Sequence, residues 1–374
     1  MSALAEIDIL KKTPLFDEHV RLGGKMVGFG GWSLPVYYSS ILAEHQWTRQ
    51  SCSLFDVSHL GEIRVQGKGA FDFLQYRLTN DLRKLNQGHI LYNLLCDQKG
   101  GILDDILVYC ENSEDFYLIV NAAHIQADFQ ALSAAAPASV ILTDQSDHTA
   151  CLAVQGPKSE AVLEKFLGFS LKNMVYYTFR EESFSGNPVW VSRTGYTGED
   201  GFEIFSSNEL SIKLWQKILS EGKPLGILPA GLGARNTLRL EAGNLLCGSD
   251  MDETTTPLEA GLGFAVSFDK EGGFFGREEL LRQKNEGTSR KIIAFKMLDK
   301  SIAREHYPVF KNKQKIGVVT SGSFAPTAGA NIGLGYVSKG FETPGTEIEI
   351  EIHGRLAKAE VVRRPFIPLK HKKN

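Results

Sequence analysis

The stretch Leu91-Tyr-Asn-Leu-Leu-Cys96, Asp97-Gln-Lys-Gly-Gly101, Ile102-Leu-Asp-Asp-Ile-Leu-Val-Tyr-Cys110 decides how the chain is read. Two apolar runs flank a polar, glycine-rich turn, a pattern that predicts an antiparallel β-hairpin. Its second strand carries Asp104-Asp105. Aspartate is depleted in strands, and successive strand side chains face opposite sides. The two carboxylates therefore project in opposite directions. One can be solvated while the other enters an interior or a cleft. In a cleft, a carboxylate stabilises developing positive charge or exchanges protons. The alternative is an exposed pair on an edge strand, or an aspartate bonded to turn amides.

Outward from the hairpin, residues 116–120 read as a further strand. Residues 122–135 read as a helix with Asn121 as its N-cap. Strands over 189–193 and 201–205 enclose a glycine-rich turn, and 210–219 and 234–242 read as helices. Strands and helices alternate without the strict βαβ rhythm of a doubly wound sheet. After about residue 275 the character changes. Short strands at 291–297, 314–320, 331–337 and 346–352 are separated by Gly, Pro and Asn turns, which predicts a small antiparallel barrel or sandwich. The polar helical stretch 276–287 is the expected boundary.

The chain has 374 residues, 43% hydrophobic and 23% charged, with a net charge of −3. That length implies two or three domains, at about 100–200 residues each. The charge balance gives no general attraction to nucleic acid or anionic membrane. Five cysteines, without a CxxC pair, argue against a disulfide framework or a zinc knuckle and for a reducing, cytoplasmic setting. The first sixteen residues lack the apolar core of a secretory signal. No apolar run reaches membrane-spanning length. Lys370-His371-Lys372-Lys373 reads as a solvated tail. Residues 61–68 approximate a phosphate loop, but the spacing is one residue too long and Gly69 stands where Ser or Thr should be. The nine histidines are scattered, so no catalytic metal is expected.

Two further segments carry candidate chemistry. In Arg193-Thr-Gly-Tyr-Thr-Gly-Glu-Asp-Gly-Phe-Glu203, the glycines permit tight turns, Tyr196 supplies a flat surface, and Glu203 sits on the departing strand. A carboxylate there suits the amidine-like edge of a flat heterocycle; the competing reading is a loop with a surface ion pair. In Gly231-Leu-Gly-Ala-Arg-Asn-Thr-Leu-Arg239-Leu-Glu241, Arg235 and Arg239 are one helical turn apart. An arginine fork suits a carbonyl or carboxylate ligand; a helix-surface salt-bridge network is the competing reading. Trp32, Tyr37, Tyr38, Tyr176 and Tyr177 could line a stacking pocket or fill a core. His59 after Asp56-Val-Ser58 could serve acid–base chemistry or be a hydrogen-bonded structural histidine.

Taken in order, several stretches resemble the aminomethyltransferase (T-protein) family of the glycine cleavage system. They include Gly30-Gly-Trp-Ser-Leu-Pro35, Leu54-Phe-Asp-Val-Ser-His59, Gly100-Gly-Ile-Leu-Asp-Asp105, Val154-Gln-Gly-Pro157, residues 193–203, residues 231–243 and Val319-Thr-Ser-Gly-Ser-Phe-Ala-Pro326. The resemblance spans residues 12 to about 368. It implies an α+β fold: a multi-lobed folate-binding region of mixed sheets and helices at 12–275, then a C-terminal antiparallel β-barrel domain at 288–368. The implied reaction moves the methylene of an aminomethyl group from the lipoyl arm of H protein to tetrahydrofolate as co-substrate. Ammonia and 5,10-methylenetetrahydrofolate are released. The implied partners are lipoylated H protein and, functionally, the P and L proteins. The family's key acid falls on Asp105, and its pterin-binding glutamate and arginine fall on Glu203 and Arg235. Tyr196, Asn121 and Tyr92 match positions near the folate. Asn236, Cys247, Leu60 and His371 depart from the usual pattern. A folate-dependent demethylase and the folate half of a sarcosine-type dehydrogenase share the implied fold, but the dehydrogenase's dinucleotide fingerprint is missing. A folate-binding protein of iron–sulfur maintenance would carry a cysteine where this chain has residues 193–199.

Overall fold

The computed structural model describes residues 10–372. The reading of residues 1–9 as no signal segment, and of Lys373 as solvated tail, lies outside the described residues. The predicted hairpin is present as Ile90–Cys96 paired with Ile102–Asn112, with Leu94 opposite Asp105 and Leu95 opposite Asp104. Its turn is shaped by contact as well as by conformation. Gly100 adopts φ +77°, and a Cβ on Gly101 would stand 2.0 Å from the Glu253 carbonyl oxygen. The hairpin opens a five-stranded sheet that continues through Asp115–Val120, Gly61–Gln66 and Ile141–Asp144.

A second, six-stranded sheet runs in the order Phe179–Phe184, Asn187–Ser192, Gly201–Ser207, Thr149–Gln155, Cys52–Asp56, Ile227–Pro229. An apolar layer containing Phe55, Val57, Ile90, Tyr109, Ile119 and Phe205 joins the two sheets. Burial of such side chains stabilises the pairing by roughly 1.5–3 kcal/mol each. Leu232–Glu241 is a helix whose Ala234 and Leu238 enter that same layer. A three-stranded sheet, Lys11–Lys12, Trp32–Tyr37 and Lys25–Phe29, lies towards the N-terminus.

Six strands close into an antiparallel barrel in the order Arg290–Met297, Ala330–Ser338, Gln314–Ala325, Pro308–Lys311, Glu347–Ile352, Arg355–Val362. Closure leaves no open edge. Two of these strands escape the sequence reading. Pro308 disguises one, and in Arg355–Val362 the small residues Ala357 and Ala359 occupy inward positions where bulky apolar side chains would have signalled a strand. The helix Arg277–Glu286 precedes the barrel, and its Leu280 is fully buried close to Gly100 of the hairpin turn. No helix among the described residues is long and apolar enough to cross a membrane.

Asn121 does not cap a helix. The helix runs Ile125–Ser133, and the Asn121 side chain is spent on the two aspartates of the neighbouring strand. As far as it is described, the tail is docked on the protein, although the Lys370 side chain stays exposed. The Lys370 backbone N–H donates to Gly198 O at 2.9 Å, His371 stacks on Tyr176 at 4.1 Å, and Lys372 pairs with Glu160 at 3.0 Å. Acidic side chains on the six-stranded sheet's side of the molecule hold it down, a feature that tail composition does not reveal.

Candidate active site

A cavity of about 620 Å³ opens between the two sheets. Its wall brings together Tyr92, Asp105, Asn121, Tyr196, Glu203 and Arg235, all six residues singled out from the sequence. They arrive from separate elements: two hairpin strands, the end of Asp115–Val120, the 194–200 turn, the strand Gly201–Ser207 and the helix Leu232–Glu241.

Strand alternation separates the two aspartates by burial, and Asp105 is half-buried rather than on an exposed edge. Asp104 is fully buried and Asp105 faces the cavity. The Asp105 carboxylate accepts from Tyr92 Oη at 3.1 Å and from Asn121 Nδ2 at 2.9 Å. The same Nδ2 donates to Asp104 Oδ1 at 2.7 Å, so one amide spans both carboxylates. Burial, and then the Asp104 charge behind it, push the Asp105 carboxyl well above the usual carboxylate range; the bonds from Tyr92 and Asn121 pull the other way. Such a group can carry charge or exchange a proton near neutral pH.

Across the cavity, Glu203 Oε2 accepts from Thr194 Oγ1 at 2.6 Å. Burial raises its pKa, and burial lowers that of Arg235. The two attract one another, yet no ion pair joins them among the described residues; the Arg235 guanidinium lies 4.7 Å from the centre of the Tyr196 ring. Both charges are thus available to a bound molecule. The Tyr196 hydroxyl is already engaged, donating to Leu245 O, so this residue offers its ring face rather than its hydroxyl. The glycines of the 194–200 turn have different tasks. Gly198 supplies a positive φ of +78°, whereas Gly195 leaves room for the Gln155 amide, which a Cβ would meet at 2.0 Å.

Other expectations are corrected. Arg235 and Arg239 do not act as a fork: Arg239 is buried and pairs with Asp250 at 2.6 Å. The ion pair of the 193–203 segment is not on the surface, because Arg193 is 1% exposed and bonds Asp200 and, at 2.7 Å, Glu160. Of the aromatic candidates, Tyr176 and Tyr177 line the cavity, while Trp32 is buried elsewhere and Tyr38 contacts His19. His59 lies in the cavity wall, its Nδ1 buried with no partner among the described residues. Burial and then the Arg235 charge push it down to about 4, so it stays neutral near pH 7. Asp56, its neighbour in sequence, is spent on His19 and Thr13. Cavity residues that sequence reasoning missed include Phe264, 71% exposed at 5.8 Å from the Tyr92 ring, and Arg364, which follows the last barrel strand. No spacing pattern points to either: the short turn Gly263–Ala265, ahead of the barrel, brings Phe264 to the hairpin, and the chain path past the last barrel strand brings Arg364.

Two family models match in tandem: the GCVT N-terminal domain over residues 15–270 and the glycine cleavage T-protein C-terminal barrel domain over residues 290–367. The chain belongs to the glycine cleavage T-protein family. An aminomethyltransferase of Halothermothrix orenii is 46% identical over 358 residues, covering 96% of this chain and 100% of that protein. One from Caldanaerobacter subterraneus is 46% identical over 375 residues, covering 100% of both. Among solved structures, the crystal structure of glycine cleavage system aminomethyltransferase T from Bartonella henselae matches with a TM-score of 0.92 and 34% identity, covering 97% of this chain and 100% of that one. This T-protein family membership accounts for the α+β architecture with its closed C-terminal barrel.

Proposed function

We propose that the protein transfers the methylene of an aminomethyl group, carried on the lipoyl arm of H protein, to tetrahydrofolate. Ammonia and 5,10-methylenetetrahydrofolate leave, and H protein is returned in its dihydrolipoyl form. The observation that carries this reading is that Asp105 opens into the same cavity as Glu203 and Arg235. The cavity suits the co-substrate in size, since ligand pockets run from about 300 to 1,000 Å³. It suits it in chemistry as well. Glu203 would hold the amidine-like edge of the pterin through two parallel hydrogen bonds, and Arg235 a carbonyl oxygen. Tyr196 would offer a stacking face.

Asp105 then acts where the charge changes. Tyr92 and Asn121 fix its carboxylate, so no reorganisation is needed as positive charge develops on the departing aminomethyl carbon. Its proximity to the pterin orients the attacking nitrogen. In this reading residues 12–275 form the folate-binding region and residues 288–368 the barrel domain that backs it. The chemistry needs no metal, the P and L proteins supply and regenerate the H-protein arm, and the setting is cytoplasmic.

The test is to incubate purified protein with aminomethyl-lipoyl H protein and tetrahydrofolate and to follow ammonia and methylenetetrahydrofolate together. Both should form in equal amounts and both should stop when either partner is omitted. Methylenetetrahydrofolate formed from a methylated amine without H protein would replace this reading with a demethylase.

A further inference from the structure

Behind Asp105 lies a cluster that the transfer reaction does not use directly. His124 Nδ1 stands 3.0 Å from Asp104 Oδ1 and 3.7 Å from Cys247 Sγ, and the three ligand atoms lie within 4.8 Å of one another. Asp128, 2% exposed, carries a carboxyl that burial and then the neighbouring Asp104 charge keep from ionising, and its Oδ2 is buried with no partner among the described residues. The imidazole thus faces the carboxyl groups of Asp104 and Asp105, with Asp128 adding a third carboxyl beside those two. Cys52, Cys96, Cys110 and Cys151 are buried, whereas Cys247 is half-buried and lines the cavity.

We infer that Asp104 Oδ1, His124 Nδ1 and Cys247 Sγ form a binding site for a thiophilic divalent cation of the zinc type, and that its occupation inhibits the transferase. The donor set is one oxygen, one nitrogen and one sulfur, a combination that borderline-soft ions accept in tetrahedral geometry. With bonds of about 2.0–2.3 Å, tetrahedral ligand atoms stand roughly 3.2–3.8 Å apart; the Nδ1–Sγ spacing of 3.7 Å falls in that range and the Nδ1–Oδ1 spacing of 3.0 Å just below it. A dication also relieves the crowding of negative charge. The cavity gives it an entry path past Cys247 and leaves room for water as fourth ligand. Binding expels the thiol proton to solvent, and the imidazole presents Nδ1 with its proton on Nε2.

Inhibition follows from a shared atom. Asp104 Oδ1 is also the acceptor for the Asn121 amide that holds Asp105. A cation on that oxygen competes with the amide and loosens Asp105. This second half rests on the role proposed for Asp105; the binding site does not.

The experiment uses the full chain, reduced and freed of metal. Cobalt(II) is titrated as a spectroscopic probe without folate or H protein. One equivalent should give a thiolate-to-cobalt charge-transfer band that zinc(II) removes. Cys247→Ser should lose the band, and His124→Gln should weaken cobalt binding by about tenfold or more. Circular dichroism melts of both variants, and Cys247→Ala as a second replacement, show whether the fold is kept. No band in the wild type, or a band that survives in folded Cys247→Ser, overturns the site. In the transfer assay zinc(II) should slow the wild type, and a chelator should restore it. Cys247→Ser, measured against its own zinc-free rate, should resist; this comparison also controls for zinc taken up by the dihydrolipoyl product. Equal inhibition of both proteins overturns the coupling to Asp105.

Discussion

Asp105 is held by a phenol and an amide, against the opposing charge of the aspartate beside it. An asparagine in its place keeps the shape and loses the charge. Asp105→Asn should therefore fold and bind tetrahydrofolate but turn over aminomethyl-H protein about 10²-fold more slowly, the scale of removing one electrostatic stabiliser. Turnover within a few-fold of wild type would remove Asp105 from the mechanism. Glu203 and Arg235 differ in kind, because they face a ligand rather than the reacting carbon. Glu203→Ala and Arg235→Ala should weaken tetrahydrofolate binding in isothermal titration by about tenfold or more, the scale of a hydrogen bond to a charged group. Unchanged affinity in both variants would contradict the pterin-pocket assignment.

At the scale of elements, strand alternation does most of the sorting. In Ile102–Asn112 it sends Asp105 to the cavity and Asp104 into the interior. In Gly61–Gln66 it sets Glu62 on the face opposite Ile63 and Val65, yet Glu62 is buried there, and its two carboxylate oxygens have no partner among the described residues. Burial, and then the nearby Asp144 charge, raise the Glu62 pKa well above its ordinary value. The folded state thus keeps a proton that the unfolded chain releases near pH 4.3, roughly the free value for glutamate. The sign follows: this stability is complete below that pH and is lost as pH rises towards the folded pKa, by about 1.4 kcal/mol per pH unit. Glu62→Gln removes the dependence. Urea midpoints at pH 5 and pH 8 should show the variant gaining on the wild type at the higher pH. A pH-independent difference would mean that Glu62 is ionised in the folded protein.

Across the whole molecule, one helix ties the cavity to the barrel. Arg239, on the helix that carries Arg235, pairs with Asp250 at 2.6 Å and donates to Ser321 of the barrel at 3.0 Å. Arg239→Met leaves Asp250 buried and short of its countercharge, at a cost of about 3–5 kcal/mol. Chemical denaturation should register that loss, and wild-type stability in the variant would show the pair to be dispensable. The Arg235–Arg239 spacing was legible, but the division of labour between them was not, because Asp250 and Ser321 reach Arg239 only through the fold. The hairpin, the opposite facing of Asp104 and Asp105, most barrel strands and the family were all readable along the chain, since periodicity and turn chemistry are local and ordered motifs persist. Folding alone makes Asn121 bridge two aspartates instead of capping a helix, engages the Tyr196 hydroxyl with Leu245 O, and docks Lys370 and Lys372. Each of those outcomes depends on partners distant along the chain, and a side chain's hydrogen bonds go to whichever groups the packed backbone brings within about 3 Å.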